Sequence, residues 1–305
     1  MPNLMSQASA LLAKAQEALT AGDVVWSGQL LGPELTDLHL QAREADCLEP
    51  LAQAIAKHEL FNICMQDPYT KRAFDKPRGY AGDAVMLDYI YRPGLQTLTV
   101  TGETIHQVTT RGPMGLSIGY RRSLLQAYID QTVSTVANPR ILSVASGHCR
   151  ELDNSLIHQA GDRAQYIALD QDSASCDEVT KNYPSDWLVT RNEGIKQLLK
   201  STHDIGTFDL IYSAGLYDYL PDAVASGLTA QLAARLRPGG ILLLANFVPS
   251  TLGRGYMELV MQWKLIWRTA EALKRVFPPE HQAAVMVHLD PHENVAYAQW
   301  KKSKV

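Results

Sequence analysis

Apolar residues recur at helical spacing through the first part of the chain. Positions three or four apart are apolar over residues 4–19, 48–61 and 114–136. This spacing puts the apolar side chains on one face, so each segment is predicted to be a helix with one buried face. Gly22 is expected to end the first helix. The polar stretch 67–83 is rich in proline and glycine, and it is predicted to be an irregular loop of the kind that carries binding groups.

The pattern changes at Pro139, beyond which short apolar runs alternate with segments of helical spacing. This alternation is typical of a parallel β-sheet whose strands are joined by right-handed helical crossovers. The first such connection, up to about residue 158, is predicted to be helical. Five runs are predicted to be strands, namely residues 141–144, 166–169, 187–189, 209–212 and 241–245.

The last part of the chain departs from this alternation. Residues 222–236 and 256–275 have helical spacing, and the second segment is predicted to be one long, aromatic-rich helix. Two further apolar runs, residues 285–287 and 295–298, could form a hairpin at one edge of the sheet. The predicted fold class is therefore α/β, with a helical region before the sheet and a hairpin after it.

The composition is that of a globular protein and excludes several classes. Of the 305 residues, 46% are hydrophobic and 20% are charged, which rules out a disordered or collagen-like chain. The formal net charge of −4 argues against nucleic-acid binding, because that function depends on excess lysine and arginine to neutralise phosphates. We therefore expect a small-molecule partner and no nucleic acid. The oligomeric state stays unknown at this point.

Cysteine usage and the N-terminal sequence indicate the compartment. The four cysteines have neither the spacing of a zinc site nor the density of a disulfide scaffold, so no metal is expected. The N-terminal residues lack the basic start and continuous apolar core of a signal peptide. The longest apolar stretch, residues 241–247, is far shorter than the ~20 residues that a membrane span needs. We expect a cytoplasmic protein that does not act at a membrane.

The first predicted strand is followed by small residues that could bind a ligand. Ligands of an open α/β sheet bind beyond the carboxyl ends of the strands, where the strand order switches. Here the chain continues with Ala145, Ser146 and Gly147, which let a ligand approach the backbone amides closely. Only one of the three glycines of a dinucleotide-binding fingerprint is present. An ordinary strand-to-helix turn is therefore the alternative interpretation.

Polar residues follow the second and third predicted strands. Asp170 ends the second strand, where a carboxylate can accept hydrogen bonds from both hydroxyls of a ribose, and Gln171 follows it. The alternative is that Asp170 or Asp172 caps the next helix, and Asp172 is the better cap. Asn192 and Glu193, after the third strand, could contact an adenine edge or could be solvated loop residues.

The fourth predicted strand ends in Ser213 and Ala214, and Tyr217, Asp218 and Tyr219 follow. Aromatic rings and a carboxylate at this edge would face a reacting centre. A tyrosine ring can hold a cation such as a sulfonium by cation–π attraction, worth about 0.5–2 kcal/mol. The alternative is that the tyrosines only pack the wall of the crevice. With that alternative open, the last three residues are candidate catalytic residues.

These segments together resemble the class I S-adenosylmethionine-dependent methyltransferases over residues 140–302. ILSVASGHCREL resembles their glycine-rich first motif, ALDQD the acidic second, DLIYSAGLYDYL the fourth-strand motif and LRPGGILLLANF the fifth. Ser143 stands where an acid is usual, and Ala145 and Cys149 stand where glycines are usual. The resemblance implies a Rossmann-like, mostly parallel sheet with an antiparallel C-terminal edge strand. It also implies S-adenosylmethionine as the cofactor, bound by Ala145 to Gly147 and the polar residues after the next three strands.

A narrower resemblance reaches into the first half of the chain. AFDKPRGYAGDAVMLDYIY is similar to a segment of bacterial enzymes that make hydroxy-fatty-acid methyl esters, and of enzymes that convert S-adenosylmethionine into azetidine-2-carboxylate. The resemblance implies that Arg78, Tyr80 and Asp83 serve the methionine end of the cofactor, where a guanidinium suits the carboxylate. It also implies a helical N-terminal cap over residues 1–135 and a catalytic domain over residues 136–305. From its residues alone, the loop is interpreted as a structural turn.

Methyl transfer to a small acceptor of secondary metabolism is the first function that the resemblance implies. Such a reaction needs alignment of the acceptor with the sulfonium methyl and exclusion of water. A carboxylate acceptor needs no base, because it is already ionised. Arg121, Arg122 or Arg268 could orient it, although we favour a solvated helix face for the first two.

Two other functions use the same cofactor site. In a cyclase, the amine of S-adenosylmethionine would attack its own γ-carbon, close a four-membered ring and expel methylthioadenosine. Tyr80, Tyr217 and Tyr219 would suit the cation, and Asp83 or Asp218 would accept the proton. The third function is a non-catalytic module that binds the cofactor, which the unusual first motif favours.

Overall fold

The computed structural model describes residues 2–94, 98–200 and 204–304 of the chain. Its α-helices are α1 (Pro2–Thr20), α2 (Val24–Gln29), α3 (Leu35–Glu44), α4 (Leu48–Lys57), α5 (Glu59–Cys64), α6 (Pro68–Asp75), α7 (Ala84–Tyr91), α8 (Val100–Arg111), α9 (Pro113–Thr135), α10 (Ile157–Ala160), α11 (Ser173–Asn182), α12 (Ile195–Leu198), α13 (Asp222–Ala234), α14 (Arg254–Leu259), α15 (Ala270–Lys274) and α16 (Pro279–Gln282). Its strands are β1 (Arg140–Val144), β2 (Gln165–Asp170), β3 (Leu188–Asn192), β4 (Phe208–Ser213), β5 (Leu236–Phe247), β6 (Met286–Leu289) and β7 (Val295–Lys301). Within the described residues, every helix is too short or too polar to cross a lipid bilayer.

The chain forms two compact units, and each is built from two separate segments. The first unit consists of Met1–Gly119 and Ser250–Lys264, and the second of Tyr120–Pro249 and Leu265–Val305. The first unit is helical and contains α1–α8, the beginning of α9, and α14. The second unit contains the sheet and the remaining helices.

In the first unit, α14 packs closely on α3. A Cβ atom at Gly255 would lie 2.4 Å from the carbonyl oxygen of Leu35, so the two backbones touch only because this residue has no side chain. The Gly255 N–H donates to the Thr36 hydroxyl at 3.0 Å. The buried His39 contacts Glu258 on α14, with 2.9 Å between Nε2 and Oε2. The later chain segment is thus an integral part of the helical unit.

The prediction of an irregular loop over residues 67–83 is wrong for its first half. Helix α6 begins at Pro68, and the buried Asp67 carboxylate accepts the N–H groups of Tyr69 and Thr70, each at 3.1 Å. An aspartate cap followed by proline in the first turn is a strong helix start, because proline lacks an N–H that would need a partner there. The irregular part is residues 76–83, which begin with Lys76 in the left-handed conformation (φ 49°).

The other predicted N-terminal helices are present, with one interruption. Helix α1 covers the first periodic segment, and Gly22 follows it with a φ of 75°. The second segment is two helices, α4 and α5, because the backbone is extended at His58. The Leu60 N–H donates to the Nδ1 of that histidine at 3.1 Å, which caps α5. Periodicity alone cannot reveal such a break, since the apolar spacing continues across it.

The second unit contains a seven-stranded sheet in the order β3-β2-β1-β4-β5-β7-β6. Strands β1 to β5 pair in parallel, while β7 is antiparallel to β5 and to β6. All five predicted parallel strands and the predicted C-terminal hairpin are confirmed. The α/β fold class is confirmed with them. The strand order reverses beside β1, which lies between β2 and β4, so the sheet has its switch point there.

The apolar runs of the strands are buried because helices cover the sheet. On one face, Leu142, Ile211 and Leu242 from β1, β4 and β5 pack with Leu228 and Leu232 of α13. These side chains are fully buried, as expected for parallel strands that are covered by crossover helices. A rigid sheet of this kind holds the ends of its strands in place.

The prediction of one long helix over residues 256–275 is wrong. Helix α14 ends at Leu259, and α15 begins only at Ala270. Between them the Arg268 N–H donates to the Phe247 carbonyl at the end of β5 at 3.1 Å, and the Ile266 N–H donates to the Asp218 carbonyl in the turn after β4 at 2.7 Å. A helix would use these N–H groups internally, so the tertiary bonds replace the helical ones.

The connection after β1 also contains less helix than predicted. It consists of a 3₁₀ turn, Arg150–Leu152, and the single turn α10. The chain before this turn is a loop with three left-handed residues, described below. In the other crossovers, α11 and α13 are regular helices, as predicted, whereas the described part of the β3–β4 connection contains only the single turn α12.

Candidate functional site

The loop after β1 has an unusual backbone that keeps the conformation of a glycine-rich turn. Ala145, Gly147 and Cys149 have φ values of 55°, 54° and 51°. The left-handed conformation costs about 1–2 kcal/mol for a residue other than glycine. Ala145 and Cys149 are therefore strained. These are the positions at which the resembling family has glycines. Glycine adopts this left-handed backbone without strain.

Hydrogen bonds to β2 hold this loop in place. The Ser146 N–H donates to the Leu169 carbonyl at 3.1 Å, and the Gly147 N–H donates to Asp170 Oδ2 at 2.8 Å. The other oxygen of Asp170 accepts the Asp172 N–H at 2.9 Å. The carboxylate at the end of β2 therefore supports the loop at the end of β1, and its oxygens retain lone pairs for further donors.

The environment of Asp170 is that of a buried acceptor. Burial raises its pKa, while the amide N–H groups of Asp172 and Gly147 oppose this rise. The cap of α11 is Asp172, whose side chain accepts the Ala174 N–H at 3.2 Å, as the sequence favoured. Asp170 is thus not the helix cap, and its role toward a ribose stays a prediction.

The end of β3 lies beside Asp170. The Asn192 amide and the Glu193 N–H both donate to the Asp170 carbonyl oxygen, at 3.1 and 2.9 Å. The Glu193 carboxylate is 3.2 Å from Arg191, in an ion pair that is partly exposed. Gln171 is exposed at the same edge of the sheet. The sheet therefore brings these three polar candidates to one corner, at the ends of β2 and β3.

The end of β4 is bonded to its neighbours through Ser213 and Ala214. The buried Ser213 hydroxyl donates to the Val144 carbonyl at 2.9 Å, which ties β4 to β1 at the switch point. The Ala214 carbonyl accepts a hydrogen bond from Arg121 Nη1 at 2.5 Å. Arg121 is buried, so the interpretation of this residue as part of a solvated helix face is wrong.

Asp218 is a fully buried carboxyl in the 3₁₀ turn Tyr217–Tyr219. Its Oδ1 accepts the Phe247 N–H at 2.7 Å. Burial raises the pKa of Asp218 to about 6, against the opposing effects of the Phe247 N–H and the Arg121 and Arg268 charges. A carboxyl with a pKa near neutrality can both release and accept a proton under ordinary conditions.

The two tyrosines of this turn differ in position. The Tyr217 ring is fully buried, and its hydroxyl is 2.9 Å from that of Thr229 on α13. This contact lies in the core of the second unit, where Tyr217 packs as a core residue. Tyr219 is half-buried and stays a candidate.

Arg268 uses all of its donors for structure. Its five N–H positions bond to the carbonyls of Tyr217 and Leu220, to Asn246 Oδ1 and to the Asp222 carboxylate, at 2.5 to 3.1 Å. A guanidinium has five N–H donors, so none is left for an acceptor substrate. The predicted role of Arg268 in orienting an acceptor is therefore wrong.

A buried acidic residue that sequence reasoning missed lies below the loop after β1. Glu151 Oε1 accepts the Tyr212 hydroxyl at 2.5 Å and the Tyr166 hydroxyl at 3.4 Å, and the two tyrosine hydroxyls are bonded to each other. Burial raises the pKa of Glu151, while the Tyr212 hydrogen bond and the Arg121 charge oppose this. Tyr166 and Tyr212 inside predicted buried strands were the available signal, because a buried hydroxyl needs a partner.

The PRGYAGD loop belongs to the first unit. Its Asp83 is buried and caps α7, where Oδ1 accepts the Met86 N–H at 2.9 Å. Arg72 binds both oxygens of the same carboxylate, at 2.8 and 2.7 Å. Asp83 is therefore committed to structural partners. Arg78 and Tyr80 are half-buried in the same loop, and their roles toward the cofactor stay predictions.

Solved structures share this fold at low sequence identity. A Bordetella parapertussis protein described as a possible exported protein is 15% identical, with a TM-score of 0.57, and the match covers 98% of this chain and 97% of that one. The CurJ carbon methyltransferase is 12% identical, with a TM-score of 0.51, and the match covers 98% and 91%. No protein-family model and no curated protein matches the chain. The chain therefore has the fold of the class I S-adenosylmethionine-dependent methyltransferases.

Proposed function

We propose that the protein is an enzyme that binds S-adenosylmethionine at the ends of β1 to β4 and transfers its methyl group to a small acceptor. The observation that carries this proposal is the loop after β1. Its left-handed residues Ala145, Gly147 and Cys149 reproduce a glycine-rich turn, and Asp170 supports that turn from β2. An arrangement kept at the cost of backbone strain is expected where a ligand needs it.

The residues at the strand ends have the chemistry that each part of S-adenosylmethionine needs. Asp170 offers carboxylate oxygens to the ribose hydroxyls, with Gln171 next to it. Asn192 and Glu193 are the candidates for the adenine edge. The backbone from Ala145 to Gly147 and the end of β4 at Ser213 and Ala214 serve the amino-acid end. The cofactor supplies an electrophilic methyl group, and the protein supplies alignment and exclusion of water.

Acceptors that are already nucleophilic fit this proposal best, and a carboxylate of a small metabolite is the simplest. Methyl transfer to a carboxylate oxygen forms a C–O bond and breaks the methyl–sulfur bond, so no proton has to move. Of the three arginines considered for such an acceptor, Arg268 is saturated and Arg121 is buried against Ala214. Arg122, half-buried on α9, stays a candidate for orienting the acceptor.

Asp218 favours a second candidate, the cyclase reaction. Here the amine of S-adenosylmethionine loses a proton and attacks its γ-carbon, and the C–S electron pair leaves with methylthioadenosine. This reaction needs a base near the ammonium group, and a buried carboxyl with a pKa of about 6 is suited to accept the proton. Tyr219 follows Asp218 in the same 3₁₀ turn and would offer its ring to the cation.

One experiment distinguishes these functions. The purified protein is incubated with S-adenosylmethionine, first alone and then with a panel of small carboxylic acids, and the products are identified by mass spectrometry. We expect S-adenosylhomocysteine and a methyl ester only when an acceptor is present. Methylthioadenosine and azetidine-2-carboxylate from the cofactor alone would establish the cyclase. Binding without either product would reduce the protein to a cofactor-binding module, and an absence of binding would refute the proposal.

A matched pair of variants sharpens this test. Asp218→Asn removes a carboxyl but keeps an oxygen that can accept the Phe247 N–H. The control Asp209→Asn makes the same change at the amino end of β4, on a residue that pairs with Arg237. We expect methyl transfer to a carboxylate to survive both substitutions. A loss of turnover in Asp218→Asn alone, by about 100-fold or more, would identify a proton-transfer step.

A further inference from the structure

Two tyrosines and a glutamate form a buried hydrogen-bond network below the loop after β1. The Tyr212 hydroxyl donates to Glu151 Oε1 at 2.5 Å, which uses its single hydrogen. The hydrogen in the bond between the two tyrosine hydroxyls therefore comes from Tyr166, whose hydroxyl also lies 3.4 Å from the same Glu151 oxygen. We call Glu151, Tyr166 and Tyr212 the glutamate–tyrosine network.

The strands fix the position of this network. Tyr166 belongs to β2 and Tyr212 to β4, and both are fully buried. Burial raises the pKa of each tyrosine, so both hydroxyls stay protonated and remain donors. Strand β1 lies between β2 and β4, so Glu151 is tied to the sheet on both sides of β1.

The network also reaches the strained residue Cys149. The Sγ atom of this cysteine lies 3.7 Å from the Tyr166 hydroxyl. The 3₁₀ turn that carries Glu151 begins directly after Cys149, and the Leu152 N–H donates to the Cys149 carbonyl at 2.9 Å. A rotation of the Cys149 backbone would therefore displace this turn and the glutamate in it.

Hydrogen bonds on the two sides of Cys149 oppose such a rotation. A left-handed residue relaxes when its φ becomes negative, which moves the chain that follows it relative to the chain that precedes it. The preceding residues are bonded to β2 through the N–H groups of Ser146 and Gly147. The following turn is bonded to β2 and β4 through Glu151. A strained conformation persists where the surrounding structure determines it in this way.

We propose that Glu151 is a positioning residue of the S-adenosylmethionine site. Through its bonds to Tyr166 and Tyr212, it holds Cys149, and with it the loop after β1, in the left-handed conformation before the ligand binds. The ligand then does not have to order the loop, which increases its affinity. This inference rests on the proposed binding of S-adenosylmethionine by that loop, and it assigns Glu151 no contact with the ligand.

A double-mutant cycle tests the coupling between the network and the strain. Tyr212→Phe removes the hydroxyl that donates to Glu151, and Cys149→Gly removes the strain, because glycine adopts a φ of 51° freely. The strain of one left-handed residue corresponds to roughly a tenfold change in an equilibrium constant. We therefore expect Tyr212→Phe to weaken the binding of S-adenosylmethionine about tenfold in the wild type, but less than about threefold in Cys149→Gly. Isothermal titration calorimetry measures the four affinities.

Two substitutions of Glu151 separate its hydrogen bonds from its charge. Glu151→Gln keeps an oxygen that can accept the tyrosine hydroxyls, whereas Glu151→Met has a similar length and no such acceptor. We expect Glu151→Gln to bind S-adenosylmethionine within about threefold of the wild type and Glu151→Met about tenfold more weakly. An equal loss in both variants would mean that the ligand needs the charge itself, which overturns the positioning role. This pair decides the question if Tyr212→Phe does not fold.

Tyr256→Phe is the matched control. It also removes a buried tyrosine hydroxyl, which lies 2.9 Å from the Thr70 hydroxyl in the first unit, and it should leave the affinity unchanged. An equal loss of affinity on Tyr212→Phe in both backgrounds, or no loss in the wild type, overturns the inference. The wild type still binds in these cases, so the proposed function stands. If folded wild-type protein does not bind S-adenosylmethionine, the proposed function fails and this inference fails with it.

Discussion

Two loops of the protein were expected to bind the same cofactor, and they are built differently. In the loop after β1, the left-handed positions include Ala145 and Cys149, and the supporting carboxylate Asp170 comes from another strand. In the PRGYAGD loop, the left-handed positions include Gly79, and the carboxylate of Asp83 is bound by Arg72 and caps α7. The first loop carries backbone strain, whereas glycine avoids it in the second.

The two aspartates have different partners, although each lies beside a left-handed glycine. An aspartate next to glycines suggests a site in either loop. Asp83, however, has a guanidinium on both oxygens and a helix to cap, whereas the bonds to Asp170 come from backbone N–H groups. We therefore expect substitutions in the two loops to affect different properties. The following predictions go from the largest expected effect to the smallest.

Replacement of Asp83 is expected to reduce stability most. Asp83→Ala leaves Arg72 without this carboxylate and α7 without its cap, so the free energy of unfolding should fall by about 3 kcal/mol. The loss is moderate because Arg72 is partly exposed and water can solvate its charge. Asp83→Asn retains the cap and should lose about 2 kcal/mol. Urea unfolding followed by circular dichroism measures both.

The exposed aspartate of the neighbouring helix provides the control for this prediction. Asp75 pairs with Lys71 at the surface of α6, and Asp75→Ala should change the free energy of unfolding by less than about 0.5 kcal/mol. If Asp83→Ala were as mild as Asp75→Ala, the structural assignment of this carboxylate would be wrong. The PRGYAGD loop would then again be a candidate for ligand binding.

Replacement of Asp170 is expected to reduce ligand binding rather than stability. Asp170→Ala removes the proposed ribose acceptor and the support of Gly147, so affinity for S-adenosylmethionine should fall by about 100-fold, equivalent to about 2.7 kcal/mol. Calorimetric titration measures this affinity. Asp172→Ala is the control, since it removes the cap of α11 and should cost about 1 kcal/mol of stability without weakening binding. Equal affinity in wild type and Asp170→Ala would refute the ribose role.

Exchange of alanine and glycine tests the strain in the two loops. Ala145→Gly should stabilise the fold by about 0.5 kcal/mol, because glycine adopts a φ of 55° without strain but is more flexible when unfolded. Gly79→Ala should destabilise the fold by about 1 kcal/mol, because alanine is strained at the left-handed φ of this position. No heavy atom lies within 4 Å of an added Cβ, so a steric clash does not contribute. Thermal unfolding shows whether each substitution stabilises or destabilises the fold. Ala168→Gly in β2 is the control and should destabilise.

The five parallel strands and the sheet edge at which the candidate site residues lie could be predicted from the sequence, because both follow from local patterns. Apolar runs that end in polar or small residues identified β1 to β5, and parallel strands necessarily bring Gly147, Asp170 and Ser213 to the same edge. The cap at Asp172 was also predictable from its position before α11. Each of these features needs only neighbouring residues and the general geometry of a parallel sheet.

Features that depend on contacts between distant residues could not be predicted. Residues 256–275 have helical periodicity, but Ile266 and Arg268 bond to the turn after β4 and to β5. Glu151 sits in an ordinary-looking segment, and only the folded sheet places Tyr166 and Tyr212 against it. The bonds that decide these positions join residues that are far apart in the chain.

The divided first unit has a consequence for the synthesis of the protein on the ribosome. Residues 1–119 emerge first, and the segment Ser250–Lys264 that completes their fold emerges about 130 residues later. At about 5–20 residues per second, this delay is roughly 6 to 26 seconds. During that time the surface of α3 that receives Gly255 is uncovered, and His39 lacks Glu258. The first unit therefore cannot complete its fold until Ser250–Lys264 has left the ribosome.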